Sequence, residues 1–279
     1  MIDSLFTNDY FFFILLMVLT AFPVGFFAGL FGIGGGLITV PFLFFIFDNL
    51  NINQDYLMHL AVGTSFAIII PTSLISVLTH KKHGSVDFSV IKNYAIFVII
   101  GVLSGTVFAA ILHTKSLLLF FTVIVYLLGA YLLNLRDKKN KLKTNFNLLP
   151  RVLLGFVSGF ISATMGIGGA VMNVPILRYF GYPINKAIGS AAAIGSVISL
   201  FGAIGFLITG SYLKTDLPLS IGFINIPAFL IFIPITMVMA RVGANTVQKI
   251  DKSKLQRFFG IFLYLVGTVF LYRFLTIWL

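Results

Sequence analysis

Two short glycine-rich runs contain the residues whose types and spacing could do chemistry in this chain. The first is Gly32-Ile33-Gly34-Gly35-Gly36, and the second is Gly166-Ile167-Gly168-Gly169-Ala170. Because glycine accepts positive φ angles, successive backbone N–H groups can point the same way. A loop of this kind at the start of a helix favours an anion. The two runs therefore predict a site that holds an anion with backbone N–H groups.

Hydroxyl and amide side chains accompany both runs at matching positions. Thr39 follows the first run at the same distance as Asn173 follows the second. Further along, Gly63-Thr64-Ser65 corresponds to Gly189-Ser190-Ala191. These side chains could donate hydrogen bonds to bound oxygens. The predicted substrate-binding residues are Gly32, Gly34, Gly35, Gly36, Thr39, Gly63, Thr64, Ser65, Gly166, Gly168, Gly169, Asn173, Gly189 and Ser190.

Close helix packing is the alternative explanation for the glycines, since small residues line many helix contacts in membranes. The duplication of the run, and the short apolar arm that follows each copy, favour a binding site instead. A dinucleotide-binding fingerprint is excluded because Leu37 stands where the third glycine should be, and no βαβ context surrounds it.

Composition places the chain in a membrane. Of its 279 residues, 59% are hydrophobic and 10% are charged, whereas soluble domains carry roughly 25% charged residues. The net charge of +11 does not indicate nucleic acid, because the basic residues lie between apolar segments rather than on a soluble face. The expected partners are the lipid bilayer and a small anion, and oligomerisation stays open.

The sequence lacks the residue types and motifs of the enzyme classes considered. Cysteine is absent, so thiolate catalysis and cysteine-ligated metals are excluded. The chain has neither an HExxH motif nor a pair of carboxylates within an apolar segment, which metalloprotease and aspartyl chemistry require. We therefore expect no enzymatic activity, no cofactor and no metal.

The chain is predicted to be an all-α membrane protein with about ten segments. The stretch from Tyr10 to Phe47 is uncharged, and it is too long for one span of about 20 residues yet too short for two spans with a wet loop. A broken-helix hairpin is therefore predicted at each glycine run. The predicted segments are Tyr10–Phe31, Leu37–Phe47, Leu57–Thr79, Phe88–Leu112, Ser116–Leu135, Val152–Met165, Val171–Phe180, Ala187–Thr209, Leu217–Ala240 and Phe258–Trp278.

The segments divide into two repeats, residues 1–135 and 151–279, joined by a basic linker at 136–150. With both termini outside and the linker in the cytoplasm, every basic residue except Lys115, Lys214 and Arg273 falls inside, as the positive-inside rule requires. Each repeat has five segments, so the second begins on the opposite side from the first. The repeats are therefore predicted to have inverted topology, with the two glycine hairpins converging near the midplane.

Ionisable side chains are predicted at the ends of the segments. Snorkelling to the interface explains Arg178, Arg241 and Arg273, and an interfacial location predicts solvated imidazoles for the four histidines. With no carboxylate in mid-segment, a carboxylate relay for H⁺ or Na⁺ is disfavoured. The coupling ion itself stays open.

The residues of Gly29–Pro41, Gly159–Pro175 and Ala61–Ser65 resemble the sulfite exporter TauE/SafE family of membrane transporters. The resemblance covers nearly the whole chain. It implies secondary transport, by alternating access, of a small sulfur oxyanion or organosulfonate such as sulfite across the bacterial inner membrane. A channel or facilitator on the same scaffold, a transporter of another small anion, and a scaffold without a transported ligand are the alternatives.

Overall fold

The computed structural model of the chain describes residues 8–32, 34–50, 52–134, 148–215, 217–246 and 252–276. Residues 136–147 of the predicted linker lie outside the described residues. Residues 148–150 form the start of α6. A 3₁₀ turn at Gln54–Tyr56 precedes α3. The described residues form the helices α1 Asn8–Phe31, α2 Gly36–Asn49, α3 Leu57–Lys82, α4 Phe88–Ile111, α5 Thr114–Asn134, α6 Leu148–Met165, α7 Ala170–Tyr179, α8 Ile184–Tyr212, α9 Ile226–Thr246 and α10 Lys252–Thr276, and the strands β1 Ser220–Ile221 and β2 Ile224–Asn225.

The prediction of an all-α, multi-pass membrane protein is confirmed. Eight of the helices are long and apolar enough to cross a membrane. The other two, α2 and α7, have 14 and 10 residues. At 1.5 Å per residue they are about 21 and 15 Å long, too short to cross a hydrocarbon layer of about 30 Å. Each short helix begins at the last residue of a glycine-rich run, as the broken-helix prediction requires.

The two halves of the chain pack across one another. Helix α1 of the first half packs along α9 of the second, and α6 of the second half packs along α4 of the first. Glycines bring the backbones together: a Cβ at Gly29 would overlap the backbone of Ala240, and one at Gly159 would overlap the carbonyl oxygen of Val98. These contacts are reciprocal, which fits two related halves, while the inverted orientation stays a prediction.

Helices α3 and α8 form the centre of the bundle. Within their apolar windows 78% and 61% of residues are buried, against 39% or less for the six other long helices. The two central helices pack against each other, with α2 lying on α3 and α7 lying on α8. Both glycine runs are thereby held against the centre of the protein.

The segment predicted at Leu217–Ala240 is wrong as a single helix. Strands β1 and β2 pair antiparallel, with Ser220 opposite Asn225, and Gly222 makes the reversal at φ 56°. Asn225 then caps α9, since its Oδ1 accepts a hydrogen bond of 3.0 Å from the N–H of Ala228. Turn and cap chemistry therefore moves the start of this helix to Ile226.

Arg273 has a charged partner at the end of its helix. Its guanidinium forms a salt bridge with the carboxylate of Asp48, which joins the end of α10 to the end of α2. The Asp48 side chain is only 11% exposed, and a partly buried carboxylate of this kind requires a charged or hydrogen-bonding partner. The ion pair fixes the far end of the first short helix, and the interfacial explanation for Arg273 stays a prediction.

Candidate functional site

The two glycine runs meet inside the bundle. We call residues 32–36 the first tip and residues 166–170 the second tip; Ile33 and the side chain of Ala170 lie outside what the structure describes. A Cβ at Gly36 would overlap the carbonyl oxygen of Gly166, and one at Gly34 would lie 3.5 Å from the Cα of Gly168. The described glycines of both tips are buried. The tips are therefore in backbone contact, closer than residues with side chains could approach.

A left-handed glycine starts each short helix. Gly35 precedes α2 with φ 85°, and Gly169 precedes α7 with φ 73°. In the first tip Gly34 is left-handed as well, at φ 68°. Residues with a Cβ atom rarely adopt this backbone conformation, so glycine is required at these turns.

The tips present backbone donors without side-chain charges. The first N–H groups of a helix have no partner within the helix, and the macrodipole adds partial positive charge there. Among the described residues, the N–H groups of Gly34, Gly35, Gly168 and Gly169 donate to no other group. Two helix N-termini therefore bring free donors to one buried place, an arrangement that suits a small anion.

Thr39 and Asn173 support their own tips. The Thr39 hydroxyl donates to the carbonyl oxygen of Gly35 at 3.0 Å, and the Asn173 amide donates to that of Gly169 at 2.7 Å. Both side chains are fully buried. The predicted donors therefore act on the tip backbone, in equivalent ways in the two halves.

Ser65 links the first half to the second tip. Its hydroxyl, on central helix α3, donates to the carbonyl oxygen of Gly166 at 3.1 Å. Ala191 occupies the equivalent position on α8, and its methyl group cannot donate. The second tip therefore receives a hydrogen bond from a side chain of the opposite half. Ala191 cannot provide the corresponding hydrogen bond to the first tip.

Thr64 lies at a different place, which we call the hairpin clasp. Its hydroxyl accepts a hydrogen bond of 2.9 Å from the N–H of Asn225. The neighbouring Gly63 allows the approach, because a Cβ there would overlap the carbonyl oxygen of Phe223. This pair of contacts joins α3 of the first half to the hairpin before α9 of the second.

Ser190 makes the reciprocal contact, which we call the loop clasp. Its hydroxyl accepts a hydrogen bond of 2.9 Å from the N–H of Asp87, and a Cβ at Gly189 would overlap the carbonyl oxygen of Ser85. This contact joins α8 of the second half to the loop before α4 of the first. Hydrogen bonds from Ser89, chiefly from its hydroxyl, lower the pKa of Asp87 and keep this α4 cap ionised.

Two histidines are buried, contrary to the prediction that all four are solvated. His59 and His80 are 1% and 2% exposed. The Nε2 of His59 lies 3.0 Å from the carbonyl oxygen of Ala109, and that of His80 lies 3.2 Å from the carbonyl oxygen of Gly29. Each satisfies a helix carbonyl of a neighbouring segment. Their positions near predicted segment ends carry no signal of this, because the carbonyl groups that they contact belong to helices distant in the sequence.

Sequence reasoning missed the apolar enclosure of the tips. Ile69 of α3 packs against Gly34: a Cβ atom added to Gly34 would lie 2.5 Å from the Cγ2 atom of Ile69. Ile198 of α8 lies against Gly169 in the same way, and Gly195 allows the carbonyl oxygen of Gly168 to approach α8. No motif marks these residues, since isoleucines are frequent throughout the chain. They give the buried donors apolar surroundings, in which a hydrogen bond to an anion would be stronger than in water.

A groove of about 660 Å³ lies elsewhere, beside the hairpin and the first turns of α9. Leu219, Pro227 and Leu230 are among its lining residues, and no residue of either tip contributes to it. Its apolar walls do not match an anion. The tips, with their convergent donors, are the better candidate site.

Known proteins match the chain over most of its length. The profile of the family described as "Sulfite exporter TauE/SafE" matches residues 17–270. A probable membrane transporter protein of Haemophilus influenzae is 33% identical over 91% of this chain and 97% of its own length. One of Methanocaldococcus jannaschii is 28% identical over 86% and 89%, and one of Bacillus subtilis is 25% identical over 94% and 98%. No solved structure matches at a significant level.

Proposed function

This chain belongs to the sulfite exporter TauE/SafE family, and from that premise we propose that it is a secondary transporter of a small anion. The proposed substrate is a sulfur oxyanion or organosulfonate of the sulfite or sulfoacetate kind. The proposed membrane is the bacterial inner membrane, with both termini outside and the linker at 136–150 in the cytoplasm.

The contact between the two glycine tips carries the proposal. Gly34 and Gly168 come together where two helices begin, and the free N–H groups there are neutral donors. Neutral donors suit a transporter, because they hold a charge without the strong ion pair that would oppose its release. The enclosing isoleucines supply a dry surrounding in which those donors act over short distances.

Alternating access is supported by the two clasps. The hairpin clasp joins Thr64 to Asn225, and the loop clasp joins Ser190 to Asp87. Each clasp connects a central helix of one half to the segment that precedes a helix of the other. We propose that one clasp opens while the other stays closed, so that the tips face one side of the membrane at a time.

Uptake into proteoliposomes tests the transport proposal. Purified protein is reconstituted, and accumulation of labelled sulfite, sulfate, thiosulfate and sulfoacetate is measured with imposed pH or Na⁺ gradients. Saturable uptake with counterflow exchange is expected for a carrier. Single-channel currents without counterflow would instead indicate a channel, and protein that is folded but moves none of the four anions would contradict the proposal.

A further inference from the structure

We propose that Asn173 makes the second tip selective for an anion that brings a hydrogen-bond donor of its own. Examples are a singly protonated oxyanion or an amino-substituted sulfonate. The inference rests on the proposed function and narrows its substrate class, because a singly protonated sulfite carries a hydrogen-bond donor and fully ionised sulfoacetate does not.

The orientation of the Asn173 amide is fixed by one contact. Its Nδ2 lies 2.7 Å from the carbonyl oxygen of Gly169. Two oxygens cannot share a hydrogen bond without a proton, so the NH₂ group must face that carbonyl and Oδ1 must face away from it. Because helical side chains lean towards the N-terminus, the amide lies beside the first turn of α7, where the free N–H groups of the tip are.

The Oδ1 atom of Asn173 has no hydrogen-bond partner among the described residues, although the side chain is fully buried. A buried acceptor without a partner is destabilising, and most such atoms in proteins are paired. A donor supplied by a ligand would remove this penalty. The unpaired oxygen therefore points to part of the ligand rather than to part of the fold.

The hydrogen bond from the amide to the tip is not what the fold needs. The carbonyl oxygen of Gly169 already accepts a hydrogen bond of 2.9 Å from the backbone N–H of Asn173, so it would be satisfied without the side chain. The side chain of Asn173 therefore contributes one thing that the backbone does not, an Oδ1 acceptor without a partner among the described residues. The equivalent Thr39 gives its one proton to Gly35, so the first tip has no matching amide oxygen.

A cation is a poor occupant of the same place. Asn173 lies in the first turn of α7, where the helix dipole places positive partial charge. No group of three or more metal-ligating side chains occurs among the described residues. A ligand that accepts from the tip N–H groups and donates to Oδ1 satisfies both kinds of group at once, and a protonated or amino-bearing oxyanion does so.

Two anions of one charge and nearly one shape test the inference. Sulfamate and methanesulfonate both carry a sulfonate group, but only sulfamate carries N–H donors. In proteoliposomes containing the full chain, we expect labelled sulfamate to be taken up with at least about fivefold lower half-saturation than methanesulfonate, the effect of one hydrogen bond. Asn173→Leu, which removes the acceptor at similar volume, should raise the half-saturation for sulfamate to that for methanesulfonate and so abolish the preference.

Thr122→Val is the matched control. Thr122 is buried on α5, and its hydroxyl donates to the carbonyl oxygen of Leu118 within the same helix, so the variant removes a buried polar group away from the tips and should keep the preference. Asn173→Ala serves if the leucine variant does not fold. Equal uptake of both anions by the wild-type protein, or a preference that survives both Asn173 variants, overturns the inference alone. Folded wild-type protein that takes up neither these anions nor sulfite overturns the proposed function as well.

Discussion

The first and second tips share a backbone and differ in chemistry. Gly35 and Gly169 are both left-handed and both start a short helix. The next residue is Gly36 in the first tip and Ala170 in the second. Gly36 has no room for a methyl group, because the carbonyl oxygen of Gly166 lies where its Cβ would be. The first tip is thus the member whose sequence is set by packing.

The second tip is the member whose sequence is set by polar groups. It receives the hydroxyl of Ser65 from the opposite half, and it holds the amide of Asn173 with its unpaired oxygen. At the equivalent positions stand Ala191, which has no donor, and Thr39, whose proton is already used. The two tips share the turn that starts the helix and differ in the side chains around it, which close the contact in the first tip and, in our proposal, bind the ligand in the second.

Gly36→Ala, at the residue after the left-handed glycine of the first tip, should reduce stability and anion uptake more than any other change predicted here. Gly36→Ala forces a methyl group into the backbone of the second tip, and overpacking of this kind costs about 1–3 kcal/mol or more. We expect loss of anion uptake and a clear fall in the thermal unfolding midpoint in detergent. The reverse change, Ala170→Gly, should cost no more than about 1 kcal/mol. Equal damage from the two changes would show that the tips are not divided in this way.

The two clasps differ in exposure, and their variants should differ accordingly. Thr64→Val leaves the buried N–H of Asn225 without its acceptor, at a cost of about 1–3 kcal/mol. Ser190→Ala exposes the N–H of Asp87 at a partly buried position, where water can replace the lost bond, so we expect less than about 1 kcal/mol.

Thermal unfolding of both single variants and of the double variant measures this difference. Since each clasp joins the two halves at a separate place, the two losses should add. In transport assays each variant should weaken closure at one side, which is measured as a faster leak of preloaded anion. A larger loss of stability from Ser190→Ala than from Thr64→Val would contradict the exposure argument.

Much of the architecture could be predicted from the pattern of apolar and charged residues. The uncharged stretch around Gly32–Gly36 is too long for one helix and too short for two, so a break there follows from bilayer dimensions alone. The duplication of the run led to the paired tips, and the structure brings Gly34 and Gly168 together. These features depend on length and composition, which sequence reports directly.

The partners of individual side chains could not be predicted. Thr64 and Ser190 are predicted substrate-binding residues, yet their hydroxyls accept hydrogen bonds from the backbone N–H groups of Asn225 and Asp87. The pairing depends on which helices of opposite halves lie side by side, and no local pattern encodes that. The burial of His59 depends in the same way on Phe223 of the distant hairpin, whose ring centroid lies 5.0 Å from the imidazole centroid.

Ser65→Ala should have a smaller effect than Gly36→Ala, and it bears most directly on the link between the halves. The change removes the hydroxyl that binds the carbonyl oxygen of Gly166, and a buried carbonyl tolerates the loss of one partner better than a buried N–H does. We expect a loss of about 1 kcal/mol, seen as a fall of about 2–4 °C in the unfolding midpoint. Because the bond holds only the second tip, the affinity for sulfamate should fall more than that for methanesulfonate as Asn173 loses its fixed surroundings. Ala191→Ser, the matched change on α8, should leave the ratio of the two affinities unaltered; an equal effect of the two changes would mean that ligand reading is shared between the tips.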